Sequence, residues 1–159
     1  MFKQIYYLKL NRNFKGVKIM ETSLLTRRLA DNGINPTAMR LLVLDELLRS
    51  NVALSVLDLE QVMDSADRIT IYRTLKKFEE KKLVHTIEDG TGSLKYAICE
   101  SDCKCTTAYT HAHFHCEICE QTYCLRNINL PEINLPKNFT AEQSSFILKG
   151  ICDQCNSKQ

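Results

Sequence analysis

All eight cysteines of this 159-residue chain lie at or after Cys99, and three of its four histidines, His111, His113 and His115, fall in the same stretch. The chain therefore divides into a cysteine-free N-terminal part and a C-terminal part rich in metal ligands. Cys116-Glu117-Ile118-Cys119 and Cys152-Asp153-Gln154-Cys155 are two CxxC knuckles. Together they supply the thiolates for one tetrahedral Zn²⁺ per chain, a closed site that holds a domain together and does no catalysis. Their separation in sequence requires intervening strands to bring them side by side. The alternative is a redox pair or buried, unligated cysteines. The opening residues MFKQIYYLKLNRN lack a cleavage-type site, so reduced thiols and a cytoplasmic location are expected.

Hydrophobic residues make up 44% and charged residues 25% of the chain, enough for a packed core. No apolar run approaches the ~18 residues of a membrane span. The net charge is +2, but Lys3, Lys9, Arg12, Lys15 and Lys18 stand in residues 1–19 without any acid. Residues 1–19 are expected to be a basic extension, either an arm lying on DNA or a stretch upstream of a start at Met20. The remainder is slightly acidic, so contact with nucleic acid must come from a local patch.

From Glu21 onward the pattern is helical. Leu24, Leu25 and Leu29 share a spacing that ends at Asn32-Gly33. Asn35-Pro36 reads as cap and first position of a second helix with Thr37, Leu41, Leu44 and Leu48 on its apolar face. Ser55 with Asp58 reads as a capping box opening a short third helix through Met63. Asp67 or Ser65 caps a fourth, whose buried stripe is Ile71, Leu75 and Phe78. Residues 83–87 and 94–98 flank a glycine turn as a β-hairpin. Helices followed by a hairpin predict a winged helix-turn-helix over residues 20–98, with the fourth helix as recognition helix. After a hinge or insertion at 99–110, short strands around Phe114, over Tyr123–Ile128 and over Ser145–Lys149 are expected to form a small antiparallel sheet within 111–159. The class is α+β.

A second group of potential ligands is looser: His85, Cys99, Cys103, Cys105, His111, His113, His115 and Cys124. On a strand, His111, His113 and His115 would share one face and reach a common ion. Mixed sulfur and imidazole donors favour Zn²⁺ over Fe²⁺ or Mn²⁺. On the fourth helix, Arg68, Tyr72, Arg73, Lys76 and Lys77, followed by Lys81 and Lys82, form either a solvated face or a surface for DNA. As a DNA surface, Arg would read guanine, Tyr would pack on thymine methyls and Lys would hold phosphates. The H-x-E and P-C-x-x-C pattern of zinc deaminases is absent, and His111-Ala112-His113 lacks the Asp-His of binuclear hydrolases, so no enzyme is expected.

The segments 33–40, Thr70-Ile71-Tyr72-Arg73-Thr74-Leu75, Leu83-Val84-His85, 111–119 and 150–155 resemble, in order, the ferric uptake regulator family of metal-sensing repressors. The resemblance implies a homodimer held by the C-terminal domain and a four-cysteine structural Zn²⁺ in each subunit. It also implies an exchangeable regulatory metal near the hinge, and an A·T-rich palindromic operator in double-stranded DNA, with the metal acting as co-repressor. Iron- and peroxide-sensing members often have a His shortly before the third-helix Ser, where this chain has Ala53, and an Asp between histidines, where it has Ala112. The zinc-uptake-regulator branch is more similar: His85, Cys99, His111 or His113, and Cys124 stand where that branch places regulatory ligands, with Cys124 in place of Glu. The expected function is zinc-sensing control of metal-uptake genes, with an Fe²⁺- or peroxide-responsive regulator of the same fold as the alternative.

Overall fold

A computed structural model describes residues 21–63, 66–99, 111–126, 128, 130, 133–141 and 144–158. The extension over 1–19, the cap candidate Ser65, and Cys103 and Cys105 in the insertion lie outside the described residues. Helix α1 (Thr22–Asp31) buries Leu25 and Leu29, whereas Leu24, expected on the same face, is 54% exposed. The helix stops where Gly33 adopts φ +64°, a left-handed conformation open to glycine. There Gly33 N–H reaches Ala30 O at 2.8 Å and Ile34 N–H reaches Leu29 O at 2.9 Å.

Helix α2 (Ala38–Arg49) begins two residues later than expected: Thr37 is the cap, its hydroxyl accepting from Arg40 N–H, and Pro36 stays outside the helix. Its buried face is Val43, Leu44 and Leu47, with Leu41 and Leu48 half-buried beside it. Strand β1 (Leu54–Ser55) runs into α3 (Val56–Val62) through the expected capping box of Ser55 and Asp58. Helix α4 (Arg68–Glu80) is capped by Asp67, which accepts from Thr70 N–H at 3.0 Å. Ile71, Thr74, Leu75 and Phe78 form its buried stripe.

The hairpin β2 (Val84–Ile87) and β3 (Lys95–Ile98) is antiparallel, and β1 lines the other edge of β3. Its turn uses Gly90 and Gly92 at positive φ. Leu25, Leu29, Val43, Leu44, Leu59, Ile71, Leu75, Phe78 and Tyr96 close one continuous core between the helices and this sheet. Each fully buried Leu or Phe there contributes about 1.5–3 kcal/mol relative to exposure. Helices plus hairpin thus form the expected winged helix.

The second sheet has the order β5 (Thr122–Leu125), β4 (Ala112–Cys116), β6 (Ile147–Gly150). The antiparallel pairing expected of it holds for β4 with β5, but β6 joins β4 in parallel. The long connection after β5 is the reason: it carries the chain across to the free edge of β4, and a parallel neighbour needs a crossover of that kind. A short helix, α5 (Asp153–Asn156), follows. The two sheets touch: Ala53 N–H donates to Thr122 O at 2.8 Å, and Ala53, Ile87 and Ala97 pack with Cys124 and Ile147. Among the described residues, no helix is long and apolar enough to cross a membrane.

Candidate metal centres and nucleic-acid interface

The parallel register of β4 with β6 sets Cys116 opposite Gly150 and so brings the two knuckles together. Cys119 lies within a tight turn in which Glu120 N–H donates to Cys116 O and Cys116 N–H to Gln121 O, both at 2.9 Å. Cys152 caps α5 and Cys155 lies within it. The thiol sulfurs of Cys116, Cys119, Cys152 and Cys155 all lie within 4.8 Å of one another. Cys152 N–H points at Cys116 Sγ at 3.3 Å. Burial by itself would raise the Cys116 thiol, but N–H groups of Cys119, Cys152 and Ile118 bring it down to about 6. Burial pushes Cys119 up to about 12. One thiolate is thus favoured by backbone donors before any ion arrives, and the donor set suits a closed tetrahedral Zn²⁺.

The second group is assembled from both sheets. His85 stands on β2, His111 just ahead of β4, and His113 on β4 directly across from Cys124 on β5. One ligand atom from each of His85, His111, His113 and Cys124 lies within 4.8 Å of all the others. His85 Nε2 is 3.2 Å from His113 Nε2 and 3.8 Å from Cys124 Sγ. Among the described residues, His111 Nε2 and His113 Nδ1 are buried without a hydrogen-bond partner. Such orphaned atoms are uneconomical unless something binds them.

Burial first, then the charges of His111, His113 and Arg126, push the His85 imidazole down to about 3. Burial and His111 push His113 down to about 4, and burial lowers His111. The Cys124 thiol is pushed up to about 12 by burial and by Cys99. The cluster is therefore three neutral imidazoles and a protonated thiol, a nitrogen-and-sulfur set that fits Zn²⁺. A cavity of about 590 Å³, lined by Arg28, Ala97, Cys124 and Arg126 among others, adjoins the group at Cys124.

Cys99 flanks this group: its Sγ is 3.5 Å from His85 Nδ1, on the ring edge away from His113. Burial raises its thiol to about 11. His115 does not join His111 and His113. Its Nδ1 is 3.1 Å from Thr122 Oγ1 and 3.4 Å from Asp89 Oδ2. Two residues along a strand is a step of about 6.7 Å, and the register sets His115 against Thr122 instead of Cys124. The third imidazole comes from His85, across the sheet interface.

On α4, Tyr72 and Arg73 are exposed, and Ile69 is 62% exposed beside them. Arg68 donates to Glu60 Oε2 through Nε at 3.0 Å and Nη2 at 2.6 Å. Lys76 pairs with Glu79 at 2.8 Å and Lys77 with Glu80 at 2.9 Å. Exposed pairs of this kind are worth about 0–1 kcal/mol, so a phosphate can displace their carboxylates. Arg73 has no ion pair among the described residues.

A winged helix joined to a thiol- and imidazole-rich sheet defines a metal-responsive DNA-binding regulator. Residues 31–152 match the model of the ferric uptake regulator family, and the chain belongs to that family. Among solved structures, it is similar to a zinc uptake regulator complexed with zinc and DNA, with 21% identity and a TM-score of 0.59 over 87% of this chain and 97% of that one. It is also similar to the Helicobacter pylori ferric uptake regulator, with 16% identity and a TM-score of 0.54 over 87% and 95% of the two chains. A third similar structure is a Pseudomonas aeruginosa ferric uptake regulator with manganese, with 17% identity and a TM-score of 0.54 over 82% and 98%. At these identities the likeness is one of fold. No curated protein matches the chain.

Proposed function

We propose that the protein is a zinc-responsive repressor of metal-uptake genes, acting in the cytoplasm as a homodimer on an A·T-rich palindromic operator. Residues 20–98 are the reading head, 99–110 the hinge and 111–159 the dimerisation domain. Cys116, Cys119, Cys152 and Cys155 hold a structural Zn²⁺ in each subunit. His85, His111, His113 and Cys124, with Cys99 alongside, hold an exchangeable Zn²⁺ that acts as co-repressor. Arg68, Tyr72, Arg73, Lys76 and Lys77 face the DNA.

The observation that carries this reading is the position of the second group. His85 stands on the hairpin of the winged helix, whereas His113 and Cys124 stand on the C-terminal sheet and His111 just ahead of it. A bound ion would supply a bond between the two sheets and take the place of the Cys124 proton. The residues do the rest: His85 fastens the end of the hairpin nearest α4 to β4, and so fixes how α4 is carried. In a dimer, the separation of two such helices decides whether both reach successive half-sites. Metal that favours the DNA-competent spacing raises DNA affinity, and DNA raises metal affinity by the same factor.

Exposed apolar side chains in the C-terminal part, Ile133, Leu135, Phe139, Leu148 and Ile151, support a second copy as the partner that covers them. The zinc assignment is supported by a group with one thiol and no carboxylate among the described residues. To test it, protein loaded anaerobically with Zn²⁺ or with Fe²⁺ is titrated onto duplexes selected from a random pool. Binding with Zn²⁺ at low free metal is expected; binding with Fe²⁺ alone makes the protein an iron sensor of the same fold.

A further inference from the structure

One strand step from the second metal group lies another cluster, built from the same elements. The turn after β2 supplies Asp89, β4 supplies His115 and β5 supplies Thr122, while Lys95 enters from β3. All four side chains are buried, and those of Asp89 and Thr122 are wholly inaccessible. Thr122 Oγ1 donates to Asp89 Oδ2 at 2.6 Å. The Lys95 ammonium lies 3.1 Å from the same carboxylate oxygen, and it donates to Glu120 O at 2.7 Å and to Thr122 Oγ1 at 3.2 Å. Thr91 N–H and hydroxyl occupy the other carboxylate oxygen. Thr122 O accepts from Ala53 N–H.

Both carboxylate oxygens of Asp89 and the Lys95 ammonium are engaged, and the bonds of Thr122 to Asp89 and of Lys95 to Glu120 O and Thr122 cross from the hairpin to the C-terminal sheet. Burial by itself would raise the Asp89 carboxyl, yet the hydrogen bonds from Thr122 and Thr91 and the Lys95 ammonium hold it well below the usual range, so it stays charged. Lys95 thus sets its ammonium against the Asp89 carboxylate on one rung of the interface. The neighbouring rung carries three imidazoles and a thiol.

We propose that Asp89, Lys95 and Thr122 form a metal-independent latch between the wing and the C-terminal sheet, and that they are positioning residues for the exchangeable metal centre. The latch fixes the turn end of the hairpin on β5, so that His85 meets His111, His113 and Cys124 at a set distance before an ion arrives. It also reaches the knuckle turn through Glu120 O, so the four-cysteine site braces the same contact. This inference rests on the proposed metal-sensing function for the metal it serves, but the latch itself concerns the protein without that metal.

The test compares wild type with Thr122→Val, which removes only the hydroxyl; Thr122→Ser, which restores it; and the neutral pair Asp89→Asn with Lys95→Met. Affinity for exchangeable Zn²⁺ is read by competition with a chromophoric chelator, with the tightly held zinc counted separately. Amide hydrogen exchange of Ala53 and of the hairpin is read in chelator. Thr122→Val is expected to keep its tight zinc, bind exchangeable Zn²⁺ at least roughly tenfold more weakly, as loss of a supporting partner typically does, and exchange these amides faster than wild type. Thr122→Ser is expected to recover both. A Thr122→Val protein that keeps its tight zinc, its Zn²⁺ affinity and its amide protection overturns the latch. If that variant loses the tight zinc, the Asp89→Asn, Lys95→Met protein is judged by the same criteria. A wild type that takes up no exchangeable Zn²⁺ removes the functional reading, while the exchange comparison in chelator still decides the latch.

Discussion

Zinc binding at the second centre should expel one proton. At neutral pH the imidazoles of His85 and His113, pushed down to about 3 and about 4, are already unprotonated, and His111 is shifted the same way. They offer lone pairs and release nothing. The Cys124 thiol, pushed up to about 12, must lose its proton to ligate. The apparent affinity should therefore rise with pH, about tenfold or 1.4 kcal/mol per unit, giving about a hundredfold between roughly pH 6 and pH 8. The assay is chelator competition across that range, on protein whose four-cysteine site stays filled. Cys124→Asp supplies a ligand ionised throughout, so its profile should be nearly flat. A flat wild-type profile would refute the reasoning. A slope near two would show that Cys99, whose thiol also stands high at about 11, joins as a second thiolate.

Other consequences follow from single residues. Arg73→Ala should weaken operator binding by about 1–3 kcal/mol in anisotropy titrations while leaving zinc content unchanged. Operator affinity of the wild type should fall steeply and log-linearly with salt. Leu75→Ala, at a fully buried position in α4, should cost about 2–5 kcal/mol in denaturant unfolding. Asp67→Ala should cost about 1 kcal/mol by the same measurement, through loss of the α4 cap. Cys152→Ser should abolish the tightly held zinc in metal analysis and destabilise the C-terminal sheet, because it removes one of the four sulfurs that close the site across β4 and α5.

Local signals were the most legible in the sequence. The capping box at Ser55, the cap at Asp67 and the stripe Ile71, Leu75, Phe78 are set by neighbours a turn away, and they appear as expected. Pro36 misled because its fixed φ also suits the extended residue before a cap, and Thr37 offered the better hydroxyl. Alternation correctly put His113 and His115 on one face, but it carries no information about what lies opposite. Register gives Cys124 to one and Thr122 to the other. The direction of β6 depends on a crossover, and the Asp89–Lys95–Thr122 latch on contacts across the sheet interface. In the sequence Asp89 falls in the glycine turn and Lys95 in a strand of the expected hairpin. Only packing of one sheet on the other removes them from water.

The most direct test of the account is operator binding by one preparation at two levels of free Zn²⁺, with wild type beside a His85→Ala, His113→Ala protein that retains its four-cysteine zinc. Wild type should bind duplex DNA tightly with zinc and weakly in chelator, and the double variant weakly in both. Equal binding by wild type with and without exchangeable zinc, or zinc-dependent binding by the double variant, would contradict the claim that an ion between the two sheets positions the reading heads.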